Sequence, residues 1–256
     1  MLSTPLEQFQ IISIFPINLF CLDFSFTNMI LINIIILFLV SFILHNISTK
    51  KDSETRGFFF VPGVWQTVFE LIYETVSRLV YDNLNSEGEK YLPFIATLFV
   101  FILSNNLIGL VPYSFTVTSH LIVTFTLSLS IFIGVFIIGC QKHKMKMLSV
   151  FLPANTSFFL ALLLVPIELI SYIFKPISLG VRLFANLMAG HTLLKVIVGF
   201  SWSLLMLEDL LSISHIVPLL ILILLMGLEL GVALIQAYVF IVLTCIYLND
   251  SVNLSH

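Results

Sequence analysis

The residues able to do chemistry stand where a sequence this apolar should have none. Glu168, Lys175, Arg182, His191 and Lys195 interrupt one long apolar stretch, and Glu229 and Gln236 interrupt the next. A charge at the centre of a bilayer costs from about 3 to over 10 kcal/mol. Several in one segment require mutual pairing or a function. Their spacing orders them. Glu168, Lys175 and Arg182 recur every seven residues and share one face of a continuous helix, with a drift of about 20° per heptad. Ser178 and Asn186 lie four residues either side of Arg182 on nearly the same face, and His191 falls half a turn away. Glu229 and Gln236 are again seven apart. One helix therefore carries two polar faces around an arginine, and the next carries one polar face that could meet them.

Protonation chemistry separates the roles open to these groups. Arginine keeps its proton at any accessible pH, so it cannot relay protons but can hold a carboxylate ionised. Glutamate and histidine can exchange them. A fixed cation flanked by titratable groups suits two separate proton paths with a barrier between. Blander readings stay open for the others: Glu168 and Lys175 as an ion pair, His191 bonded to a carbonyl, Lys175 and Lys195 reaching to an interface, Gln236 as interhelical glue. Arg182 is the hardest to explain so. Its nearest acid in sequence is 14 residues away, which calls for a counter-charge on another helix or another chain.

The elements that must position these groups are helices in a membrane. Of 256 residues, 59% are hydrophobic and only 10% charged, against roughly 25% charged in a soluble domain. Apolar stretches at 28–47, 92–111 and 117–140 each approach the roughly 20 residues of a spanning helix. The last two, joined by the uncharged turn Pro112–Thr116, read as a hairpin over 92–140. The stretches at 157–207 and 213–248 are too long to stand upright, so each is broken or strongly tilted; Pro166 and Pro176 could kink the former without ending it. Residues 62–84 differ. Val61, Trp65, Val68, Phe69, Ile72, Val76, Leu79 and Val80 recur at helical spacing opposite Gln66, Glu70, Glu74 and Arg78, with Pro62 suited to a first helical position. That pattern predicts an amphipathic helix lying in the membrane interface. The expected fold is thus a single all-α membrane domain over 1–256: an N-terminal segment 1–27, a first transmembrane helix, an interfacial helix, a hairpin, and two long tilted helices across 157–248.

Basic residues orient the chain. Lys50, Lys51 and Arg56 follow the first span, and Lys142, Lys144 and Lys146 follow the third. The positive-inside rule puts those loops on the matrix or cytoplasmic side, the N-terminus opposite, and the C-terminus, by counting, inside. The net charge of −3 carries no basic surface for nucleic acid. Cys21, Cys140 and Cys245 lack metal-ligand or disulfide spacing and read as small packing residues. No cofactor and no metal is expected. The first 24 residues hold no Lys or Arg, so neither a secretory nor an organellar leader is read there. Heavy use of Phe and Ile suggests an AT-rich, organellar genome.

At the polar residues the sequence resembles a known family. The run Ser178 to His191, with Arg182 and Asn186 inside it, is similar to the signature segment of ATP synthase subunit a. Pro112 to Leu121 looks like the mitochondrial form of that family's hairpin turn. Leu228 to Val239 and Tyr247 to Asp250 resemble its last helix, and Thr4 to Phe9 its mitochondrial N-terminus. One departure stands at Pro153-Ala154-Asn155-Thr156-Ser157-Phe158, where the family usually shows Pro-Ala-Gly-Thr-Pro.

The resemblance implies two long helices lying nearly flat along a ring of c subunits, in a mitochondrial inner membrane. It implies that Arg182 faces the ring carboxylates, and that His191 and Glu229 line an access channel from the intermembrane space. It further implies that Glu168 and Asp250 line the matrix-side exit, and that Asn186 and Gln236 assist near the arginine, with Ser178 and Lys175 in support. Protons are the transported ion. The expected partners are the c ring, peripheral-stalk subunit b, other Fo subunits and the bilayer. No phosphate loop is present, so nucleotide chemistry belongs to partner chains. Two rival classes would leave signatures of their own. A secondary transporter should show inverted repeats, and none is evident. An intramembrane hydrolase should show HExxH or GxSxG, and neither occurs.

Overall fold

The computed structural model describes residues 9–19, 22–53, 63–111, 114–144, 158–206 and 215–253. Expectations for residues 4–8, Cys21, Arg56, Val61, Pro62, Pro112, Tyr113, Lys146 and 153–157 fall outside them. The described chain is helical apart from its start. Six α-helices follow in order: α1 (Asn28–Ser53), α2 (Val64–Leu84), α3 (Leu92–Gly109), α4 (Leu121–His143), α5 (Phe158–Leu205) and α6 (Ile216–Val252). Pro93 opens α3, where its missing N–H costs nothing. Among the described residues, four helical segments are long and apolar enough to cross a membrane: Leu92–Gly109, Leu121–His143, Leu163–Leu205 and Ile216–Val252. The apolar part of α1, Asn28–Ile43, precedes them.

Length fixes the attitude of the last two helices. Helix α5 runs unbroken for 48 residues through Pro166 and Pro176, and α6 for 37. The alternative of a break in the fourth apolar stretch is therefore excluded. At 1.5 Å per residue they measure about 72 Å and about 55 Å, against a hydrocarbon core of about 30 Å. Both must lie strongly inclined.

The core gathers on the C-terminal half of α6. Ala237, Phe240, Ile241, Cys245 and Leu248 are buried there against Val76 and Val80 of α2, Ile95 and Ile102 of α3, and Leu179 and Leu183 of α5. Lipid gives helices no hydrophobic reason to associate, so close packing of small residues does that work. Gly180 shows this. A Cβ there would lie 2.8 Å from the Ser128 hydroxyl, 3.0 Å from the Thr124 carbonyl oxygen and 3.1 Å from the Phe125 Cα, all on α4. Further along, the Phe132 and Tyr172 rings meet at 4.7 Å. Positions rise on α4 as they fall on α5, so these two helices are antiparallel. Helix α4 then closes on the end of α6 through a His143 Nε2 contact of 2.8 Å to the Val252 carbonyl.

Helix α2 is amphipathic as its periodicity requires. Val76, Leu79, Val80 and Leu84 are buried, while Gln66 donates to Glu70 at 2.7 Å and Arg78 pairs with Glu74 at 2.6 Å on the outer side. Trp65 and Val68, at its start, stay exposed, as a helix leaning on an interface would leave them.

Residues 9–19 and 22–27 fold into more than their apolar composition announced. Strand β1 (Ser13–Phe15) pairs antiparallel with β4 (Phe26–Thr27), and β2 (Asn18–Leu19) with β3 (Leu22–Asp23), as nested hairpins. Asn28 latches this unit to α1. Its backbone N–H donates to the Ile12 carbonyl at 3.1 Å, its Oδ1 accepts from the Ile12 N–H at 3.3 Å, and its Nδ2 donates to the Gln10 carbonyl at 3.1 Å.

Candidate functional site

Arg182 points out of the bundle. Leu179, Leu183 and Leu187 turn the opposite face of α5 into the core, at 0–4% exposure. Four-residue spacing then sends Ser178, Arg182 and Asn186 outward as one exposed row. The close approach at Gly180 holds this part of α5 tight against α4. Among the described residues no carboxylate pairs with the guanidinium.

On either side of Arg182, α5 and α6 exchange polar contacts in antiparallel register. Toward the start of α5, Lys175 Nζ lies 3.4 Å from Asp250 Oδ2. The ammonium also sits 5.1 Å from the Tyr247 ring and 5.5 Å from the Tyr172 ring. Glu168 is half-buried two turns before Lys175 and is not its partner. The pairing of Glu168 with Lys175 that spacing allowed is thus replaced by one across helices. Tyr172, and Tyr247, which the family resemblance included without a role, complete this group, and the Tyr247 phenol is within electrostatic reach of both Arg182 and Asp250.

Toward the end of α5, Asn186 Nδ2 donates to Gln236 Oε1 at 3.0 Å. One turn further, His191 Nδ1 lies 3.8 Å from Glu229 Oε1, with both side chains under 10% exposed. The approach depends on Gly190, because a Cβ there would stand 2.7 Å from Glu229 Oε1 and 3.0 Å from its Cδ. Asn106, at the end of α3, was also missed. It is fully buried and donates to the Ala233 carbonyl at 3.3 Å, which places it between Glu229 and Gln236 along α6. The Asn105-Asn106 pair inside an apolar run was the available signal. Among the described residues, Asn106 Oδ1, His191 Nε2, Glu229 Oε1 and Gln236 Nε2 are all buried and find no hydrogen-bond partner.

Between these two polar groups the seam is apolar. By the register of the Asn186–Gln236 and Lys175–Asp250 contacts, the stretch of α6 level with Arg182 carries Ala237, Phe240 and Ile241, buried in the core at 0–1% exposure. The Thr244 hydroxyl donates to the Phe240 carbonyl within its own helix at 2.9 Å. From Gln236 to Tyr247 is about 16 Å of helix axis.

Near the turn before α4, the His120 and Phe115 rings pack at 5.1 Å. Burial lowers the His120 pKa. Among the described residues no group of His, Cys, Asp and Glu could hold a metal ion.

The fold and this seam define a class: a multi-pass helical membrane protein with ionisable groups on two long antiparallel helices. Comparison with known proteins narrows it. The sequence model of the ATP synthase A chain family matches residues 27–249. A Chondrus crispus protein described as ATP synthase subunit a is 50% identical over 253 residues, 99% of this chain and 97% of that one. One from Pylaiella littoralis is 51% identical over 99% of this chain and all of its own length, and one from Marchantia polymorpha 46% identical over the same shares. The chain belongs to the ATP synthase A chain family.

Proposed function

We propose that the chain conducts protons through two half-channels that end at Arg182 and couples their flow to rotation of a c ring. A proton enters from the intermembrane space past His191 and Glu229 and neutralises a ring carboxylate. The neutral carboxyl travels through lipid. On its return it meets Arg182, loses its proton toward Asp250 and Glu168, and passes on. The membrane potential supplies about 2.3 kcal/mol per proton per 100 mV. Asn186 and Gln236 hold the inlet beside the arginine, while Ser178 lies on the ring-facing row and Lys175 holds Asp250.

One observation carries this reading. Polar contacts between α5 and α6 occur on both sides of Arg182 and stop at the Ala237–Phe240–Ile241 block between them. Two hydrated clefts separated by a dry stretch need that arrangement. On the inlet side, the unpartnered atoms of Asn106, His191, Glu229 and Gln236 would each cost roughly 1–3 kcal/mol if left dry, so water satisfies them. The exposed row of Ser178, Arg182 and Asn186 supports a ring of partner helices carrying carboxylates as the missing counter-charge.

In this reading the whole chain is one membrane domain of the mitochondrial inner membrane. Its N-terminus is in the intermembrane space and its C-terminus on the matrix side, with subunit b and other Fo subunits as further neighbours. Cysteine cross-linking tests the ring contact. Ser178→Cys should cross-link to a cysteine placed beside the carboxylate on the ring's outer helix. Absence of cross-links from every position on the 178–186 row would contradict the proposal.

A further inference from the structure

The N-terminal segment plays no part in the proton path as proposed, yet one of its residues reaches that path. Phe9 is buried at 7% exposure, whereas the hairpin that follows it leaves Ile11, Ile12, Ile14 and Phe15 exposed. The Phe9 ring lies 6.0 Å from the His191 imidazole, tilted by 56°. The Lys195 ammonium sits 5.8 Å from the same ring. His191 and Lys195 are four apart on α5, so one aromatic ring caps one helical turn.

We propose that Phe9 is a positioning residue for proton uptake: its ring fixes the His191 imidazole against Glu229. This rests on the reading of His191 and Glu229 as the inlet. Among the described residues, the ionisable groups facing His191 are Glu229 from α6 and Lys195 from its own helix. Tilted ring packing restrains an imidazole that has only a 3.8 Å contact, longer than a hydrogen bond, to keep it in place. A cation over a ring face is attracted to it. The latch at Asn28 fixes the Gln10 carbonyl, one residue from Phe9. The nested hairpins therefore act as the strap that carries the ring to α5.

The test uses the assembled ATP synthase in vesicles, with proton uptake from the inlet side measured per assembled complex. Phe9→Leu keeps an apolar side chain and removes the aromatic face; Phe9→Met takes its place should the leucine variant fail to assemble. Phe9→Tyr and Phe9→Trp keep the face. Uptake should fall about three- to tenfold in the aliphatic variant and stay within about twofold of the parent in the aromatic ones. Parental uptake in the aliphatic variant, or equal losses in all variants, would overturn the inference. Glu229→Gln separates the two claims. If it conducts like the parent, the inlet itself is wrongly assigned. If it is slow while Phe9→Leu is fast, only the role of Phe9 fails.

Discussion

Glu229 lies against the bare backbone of Gly190: a Cβ on that glycine would come within 2.7 Å of the carboxylate Oε1 and 3.3 Å of its Cγ. The residue before His191 is therefore small so that the acid of α6 can reach the imidazole of α5. Gly190→Ala should stabilise a helix interior by roughly 0.5–1 kcal/mol on backbone grounds, yet it must move Glu229. We expect proton flow to fall about tenfold to a hundredfold, the scale of a displaced reacting group, with no loss of complex stability. Uptake rates and thermal unfolding of the same preparation check both halves.

Asp250 separates a structural role from a functional one in the same way. Its pair with Lys175 is one-third to one-half exposed, and such pairs are worth about 0–1 kcal/mol. Asp250→Asn should leave thermal stability nearly unchanged while slowing proton release to the matrix side several-fold. Equal loss of stability and rate would make the pair a structural strut.

The apolar block between the two polar groups should be a seal. Phe240→Ser places a hydroxyl and a void in a residue that is fully buried, and large-to-small changes there cost about 3–5 kcal/mol. Proton leak should appear in vesicles whose ATP-synthesising sites are inhibited. Phe240→Leu, which refills most of the space, should stay tight. A tight Phe240→Ser complex would place the barrier elsewhere.

His120 gives a pH dependence outside the spans. Burial lowers its pKa from the ordinary 6.5, so below pH 6.5 the unfolded chain binds a proton that the folded turn resists. Stability is full above that value and declines as pH falls toward the lowered one. Hydrogen exchange of amides in residues 114–124 should quicken between pH 7.5 and 5.5, and His120→Gln should abolish the change.

Some of this was legible in the sequence. The lengths of α5 and α6, the isolation of Arg182, and its shared face with Ser178 and Asn186 follow from periodicity alone, because a helix fixes its own faces. Which residues meet across helices does not follow. Lys175 pairs with Asp250 rather than Glu168 because interhelical register is set elsewhere, by the close approach at Gly180 and by the loops. The reach of Phe9 to His191 depends on the nested hairpins and the Asn28 latch, and runs of Ile and Phe carry no register of their own. The need for Gly190 is visible only once Glu229 is beside it.

The central claim is that a cation unable to give up its proton divides two clefts. Arg182→Lys tests it most directly, because lysine keeps the charge but can deprotonate when buried. Proton-driven ATP synthesis by the assembled Arg182→Lys complex is the measurement. The account predicts that coupled synthesis is lost; synthesis at the parental rate would contradict it.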